Sequence, residues 1–255
     1  ERYLVDSLNI NYSNANISGT RKSIIQGVTA SQNVFNIVHP TAGVIERLNL
    51  IGFTVRGDDV ANLTGIYAPK IAHANILGLQ VLRMSGAGIK QGYGWCNNYM
   101  YNEVSYGGDG IVSVDGENNN LNIDKNRIFM NSGVGLGLSA NASVNITNNT
   151  IERNLKAGLI LSGYNGGRIE GNYFEANATV GDVYGGKTIK ADVFINGNGR
   201  WDLKTLAFAA PCKSMSIRGN THSNREVDIY PYVLNGLENM EIAYNYQNPT
   251  STSAA

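Results

Sequence analysis

Glu152 and Glu175 each lie three residues past an asparagine, Asn149 or Asn172, so an Asn-x-x-Glu unit occurs twice at a fixed spacing. If that spacing is one turn of a repeating structure, both carboxylates leave the same face, stacked about 5 Å apart backbone to backbone. Two carboxyl groups that close push their pKa values apart, so that one keeps a proton while the other stays charged. Such a pair suits the cleavage of a glycosidic bond, at about 5–5.5 Å between carboxyls for retention of configuration and about 6.5–9.5 Å for inversion. Asp182, Asp192 and Asp228 are further candidates. Asp192 opens "DVFI" and Asp228 lies in "VDIY" one coil later, beside Tyr230, which predicts a second outward pair. The plainer reading of each acid is a solvated surface group, or one paired with Arg153, Lys156 or Lys190.

The positioning elements follow from the asparagines. Asn102, Asn126, Asn149, Asn172, Asn220 and Asn245 follow one another at steps of 24, 23, 23, 48 and 25. Two residues after five of them come Val104, Ile128, Ile151, Phe174 and His222, and three residues after come Ser105, Phe129, Glu152, Glu175 and Ser223. Short alternating stretches precede them ("LNI", "VNI", "MSI", "MEI"), and "GIVSV", "VGLGL", "GLIL", "DVFI" and "VDIY" follow. Self-similarity at a period of about 23 residues signals a solenoid. Helical periodicity and a leucine signature are missing, so three short strands per repeat describe one coil of a parallel β-helix. Asparagine tolerates a left-handed backbone and turns the corner between two strands. Stacked coil upon coil, its amide can build a ladder, and the apolar residue two positions on fills the core.

On these repeats, residues 43 to 246 resemble the right-handed parallel β-helix of the pectate-lyase-like superfamily. The Asn/Gly-rich coils and irregular loops are most similar to phage tailspike polysaccharide depolymerases. The resemblance implies a homotrimer that acts on a bacterial surface polysaccharide, capsule or O-antigen, from a virion tail or as a secreted protein. It implies an endo-glycosidase first. A polysaccharide lyase on a uronate polymer is the alternative, or a non-catalytic sugar-binding or structural fibre. No cofactor is expected, and no acidic cluster of the pectate-lyase calcium type is evident. Tailspikes also carry attachment and trimerisation segments that this chain lacks, so an excised or fragmentary β-helix is expected. The domain reading is a single β-helix over 1–246, with less regular coils in 1–42 and a disordered tail at 247–255.

The double-length step between Asn172 and Asn220 holds one coil and about as much chain again, which places long loops at 177–191 and 196–213. Loops on a rigid scaffold are where sites tend to sit. The alternative is a subunit contact or a cap over hydrophobic surface. Tyr184 and Trp201 lie in these loops, where aromatic faces stack on sugar rings. Arg200 and Lys190 are placed to meet anionic sugars, and Tyr67, Tyr93, Trp95 and Tyr106 mark a continuation along the axis. Glu103 with Arg127, and Glu170 with Arg218, occupy equivalent outward positions on adjacent coils and read as structural pairs. His222 takes an inward position and reads as a core histidine.

Composition narrows the field. Twenty basic residues balance twenty acidic ones, which leaves no basic stripe for nucleic acid. No apolar run approaches the roughly 18 residues of a membrane span, and the opening Glu1-Arg2-Tyr3 is not that of a signal peptide. Cys96 and Cys212 belong to coils four apart, roughly 19 Å along the axis, too far for a disulfide.

Overall fold

A computed structural model describes residues 1–114, 118–139, 142–197, 212–223, 230–235, 237–243 and 245–247. The chain winds as a right-handed parallel β-helix of about nine coils, and no helix occurs among the described residues. One parallel sheet of ten short strands runs the length of the solenoid, and the remaining parallel strands form the other faces. In the ten-stranded sheet, Val55, Val81, Val104, Ile128, Ile151, Phe174 and His222 follow one another in register and are all buried. Leu50, Ile76, Tyr99, Ile123, Ile146, Ile169 and Ile217 make a second inward column from the opposite side. Each such side chain contributes on the order of 1.5–3 kcal/mol by leaving water.

The ladder forms as the spacing predicts. Nδ2 of Asn102, Asn126, Asn149, Asn172 and Asn220 each donates to Oδ1 of the next asparagine, at 3.0, 3.0, 2.9, 2.9 and 2.9 Å, ending on Asn245. The same Oδ1 accepts a backbone N–H from the coil before, as from Asn126 to Asn149 at 2.9 Å. The second Nδ2 proton goes to a carbonyl, as from Asn149 to Ile123 at 2.9 Å. Asn172 and Asn220 meet as closely as any other pair despite the double-length step between them, so the insertion does not open the stack.

Residues 1–42 already belong to the solenoid, with strand Arg2–Val5 paired to Ile24–Gly27 and Leu8–Ile10 paired to Asn33–Ile37. Their coil lengths vary: Arg2 aligns with Ile24, but Asn16 aligns with Asn49 after a coil half as long again. Cys96 and Cys212 are both free thiols.

A second ladder runs along another corner. Asn131 donates to Asn154 at 2.9 Å, Asn154 to Asn177 at 2.9 Å, and Asn177 to Oδ1 of Asp192 at 3.0 Å. This corrects the outward placement of Asp192, which is fully buried. Its other oxygen lies 3.0 Å from Nδ1 of His222, whose ring stacks on Phe174 at 5.0 Å and meets Tyr232 edge-on at 4.6 Å. Asp192 faces inward because it enters its strand at the corner, where the ladder above it needs an acceptor. Asp124 links coils on the outside, accepting from the Thr147 hydroxyl at 2.6 Å and from Asn148 at 2.9 Å.

Three stability changes are expected. Asn149→Ala removes the oxygen that receives one Asn126 amide proton and the Asn126 backbone N–H, and should cost about 2–5 kcal/mol in urea unfolding. Asp192→Leu strands His222 and Asn177 and should cost about 3–5 kcal/mol, whereas Asp192→Asn keeps an acceptor for Asn177 and should cost under about half of that. Burial acts to raise the Asp124 carboxyl, but the hydrogen bonds from Thr147 and Asn148 and the charge of Lys125 bring it below its ordinary value. A value depressed by folding adds stability that is fully present above the unfolded value, about 3.9. That stability is lost as pH falls through the lower folded value. Wild type should therefore lose its advantage over Asp124→Asn across that acid window, read as converging melting temperatures.

Candidate functional site

The outer face of the ten-stranded sheet carries two rows of side chains. The second row reads Leu82, Ser105, Phe129, Glu152, Glu175 and Ser223, aligned residue for residue on consecutive coils. Glu152 and Glu175 are thus direct neighbours on strands Thr150–Glu152 and Tyr173–Glu175, and both are half-buried. The Tyr173 hydroxyl donates to Glu175 Oε2 at 3.0 Å. Burial, together with the Glu175 and Glu152 carboxylates, holds this phenol above its usual pKa, so it stays a proton donor at neutral pH. Arg127, one coil earlier, reaches Glu152 at 4.0 Å and covers the Phe129 ring at 4.1 Å. Arg127 therefore pairs with Glu152, and the expected partner Glu103 is only its backbone neighbour. Glu170 pairs with Arg168 at 3.7 Å, and Arg218 pairs with Glu241.

A groove lies beside these carboxylates, at the corner where the ten-stranded sheet ends and the next strand begins. Four residues separate Leu82 from Ala87, Phe129 from Val134 and Glu152 from Ala157, but only three separate Ser105 from Asp109. The short corner, Tyr106-Gly107-Gly108, leaves a dent. Two cavities of about 700 and 540 Å³ meet there and share Ser85, Gly108 and Ser132 as lining. A Cβ on Gly108 would strike the Ser85 and Gly86 carbonyls, and one on Gly133 would occupy the space of Asp109 Oδ1. Asp109 Oδ1 is fixed there by the Val134 N–H at 3.0 Å. Arg153 and Leu155 line the larger cavity and also a third of about 430 Å³, which Glu175 lines. Through Arg153 and Leu155 the groove reaches Glu175.

The remaining sequence candidates scatter. Loop 177–191 is a β-hairpin, with Asp182–Tyr184 antiparallel to Lys187–Ile189. It covers an apolar patch that includes Ala157, Ile160 and Phe194. Tyr184 is 1% exposed, edge-on to Phe194 at 4.8 Å, so it caps hydrophobic surface and presents no face to a groove. Asp182 is buried in the same hairpin, where it accepts the Val183 N–H at 3.0 Å. Lys190 is half-buried at the hairpin base, and Tyr230 is exposed on the strand beside Ala191. Arg200, Trp201 and Asp228 lie outside the described residues, as do most of the second loop and the tail. Among the described residues no three His, Cys, Asp or Glu side chains come together as a metal site, and no helix is long and apolar enough to cross a membrane.

Sequence reasoning missed Tyr173, Asp109 and the short corner. The corner was signalled by its length, three residues where its neighbours have four.

No curated protein matches the chain in sequence. Among solved structures it is similar to PfbA, a surface adhesin of Streptococcus pneumoniae, with 12% identity, 96% of this chain and 80% of that one covered, and a TM-score of 0.59. It is also similar to the A-module of the Azotobacter vinelandii mannuronan C-5 epimerase AlgE4, at 12% identity, 100% and 89% coverage and a TM-score of 0.53. The tailspike protein of Acinetobacter baumannii phage AM24 matches at 12% identity over 97% of this chain and 49% of that one, with a TM-score of 0.48. Residues 37–199 match the family described as a right handed beta helix region, and the chain belongs to that family.

Proposed function

We propose that the chain acts on a polysaccharide outside the cell, as a tailspike-like endo-glycosidase on a bacterial capsule or O-antigen. The observation that carries this reading is the alignment of Glu152 with Glu175 on adjacent coils, with Glu175 at the edge of a groove. Neighbouring strands run about 4.8 Å apart, and side-chain rotation spans the separations that retaining and inverting enzymes use. Glu175, on the cavity side, serves as the acid that protonates the leaving oxygen. Glu152, beside Arg127, serves as nucleophile or as the base that activates water. Tyr173 orients Glu175 through its hydrogen bond. A homotrimer and a virion-tail or secreted location belong to the same proposal.

One contact favours a second reading. A carboxylate beside a protonated phenol, with Arg127 and Arg153 nearby, also suits the lyase alternative, in which Glu175 takes the C5 proton of a uronate and the Tyr173 hydroxyl protonates the departing glycosidic oxygen. The likeness to a module of a mannuronan C-5 epimerase supports it, as the likeness to a surface adhesin supports binding without cleavage.

Incubation with a panel of capsular and O-antigen polysaccharides separates the three. Hydrolysis yields new reducing ends without the ultraviolet absorbance of unsaturated uronate. Glu152→Gln and Glu175→Gln should each then lower kcat about 10²–10⁴-fold. Absorbance would assign the chemistry to Glu175 as base with Tyr173 as acid, and chains left intact across the panel would leave binding alone.

A further inference from the structure

The groove at the short corner holds more positive charge than its surroundings neutralise. Arg83, Lys90, Arg153 and Lys156 line its two larger cavities against the carboxylates of Asp59 and Asp109. Arg83 reaches Asp59 at 3.6 Å, but both side chains are at least half exposed and such a pair is worth little. Among the described residues, Arg153 and Lys156 pair with no carboxylate. Lys90 lies over the Tyr67 ring at 6.0 Å. Between Arg83 and Arg153, Tyr106 projects from the corner half exposed, its ring fixed edge-on against Phe129 at 5.3 Å. A braced aromatic face with guanidinium groups on both sides, over a floor of glycine backbone, is the complement of a pyranose ring bearing a carboxylate.

We infer that this groove is a subsite for an acidic sugar residue, with Tyr106 stacking on the ring and Arg153 and Lys156 receiving its carboxylate. The inference rests on the reading of the chain as acting on a glycan and supplies the substrate class, a uronate-containing or similarly carboxylated polymer. Arg83 and Arg153 stand three coils apart, about 14 Å, so the subsite extends over more than one sugar unit along the axis. Its far end joins the cavity that Glu175 lines, which would deliver the bond after the acidic residue to the carboxylate pair.

The test is calorimetric titration of Glu175→Gln protein, which suppresses turnover, with galacturonate, glucuronate, mannuronate and guluronate oligosaccharides. The same oligosaccharides after chemical reduction of their carboxyl groups are the controls. At least one acidic series should bind more tightly than its reduced counterpart, with affinity falling as salt rises. Arg153→Gln, which keeps the corner filled, should weaken the acidic series about tenfold and leave the reduced one unchanged. Tyr106→Ala should weaken both. Equal affinity for acidic and reduced forms, an unaltered affinity in Arg153→Gln, or no binding by any acidic series at millimolar concentration overturns the inference. Binding of acidic oligosaccharides by wild-type protein that cleaves nothing supports the subsite and overturns the role given to Glu152 and Glu175. Cleavage of neutral glycans alone does the reverse.

Discussion

The amide of a corner asparagine can make four hydrogen bonds at once, and the rest of the molecule depends on it. Asn149 accepts from the Asn126 side chain and backbone, and donates to Asn172 and to the Ile123 carbonyl. A tight bend buried inside a solenoid exposes backbone donors and acceptors to a place without water, where each unmet group costs about 1–3 kcal/mol. One repeated side chain meets them all, and fixes the coil-to-coil register as it does so. That register puts an apolar residue inward two positions later and a variable one outward at the third. The facing of Glu152 and Glu175 is therefore a consequence of Asn149 and Asn172.

The same logic accounts for the buried pair of Asp192 and His222. A ladder of amides must end on something that accepts, and the second ladder meets the hairpin insertion after Asn177, where no further asparagine follows in register. Asp192 supplies the acceptor. A carboxylate has oxygens to spare, and one left unpaired inside the core would be costly, so its second oxygen requires a donor. His222 fills that need from a column position that valine, isoleucine or phenylalanine occupies elsewhere. A buried pair of this kind is weak evidence for net stability. Here it resolves a local problem, and the histidine keeps the stacking on Phe174 that an aromatic residue would provide.

The sequence was legible wherever period alone decides the outcome. The first ladder, the inward column and the outward row with both glutamates follow from counting, because every coil repeats the same geometry. Asn131, Asn154 and Asn177 keep the same step as the first ladder, but three members before an insertion are too few to stand out. Asp192 was misplaced because a residue entering a strand at a corner does not yet obey the alternation of the strand. Tyr184 was misplaced because a loop long enough to wall a groove is also long enough to fold back on exposed apolar surface. Ala157, Ile160 and Phe194 supplied that surface. The groove itself is one missing residue between Ser105 and Asp109, a difference that acquires meaning only when both strand ends are known.

Backbone strain does not by itself single out that groove, although Arg83, Tyr106, Met130 and Arg153 have φ of 56, 58, 55 and 52°. Non-glycine residues lose roughly 1–2 kcal/mol in that region. Positive φ recurs at the bends throughout the described coils, including Lys125 and Asn148 at a second corner and Cys96 at a third. The solenoid requires the conformation at its bends whatever the function. At this corner the cost falls on Arg83, Tyr106, Met130 and Arg153. Glycine would be the least strained choice, yet three of these positions carry a large cationic or aromatic group. Their stems project outward along one line, and the strain that fixes the backbone also fixes their direction. A site built on such bends is rigid without a second layer of supporting contacts, because the ladder beneath, from Asn131 to Asn177, has already immobilised every bend it crosses.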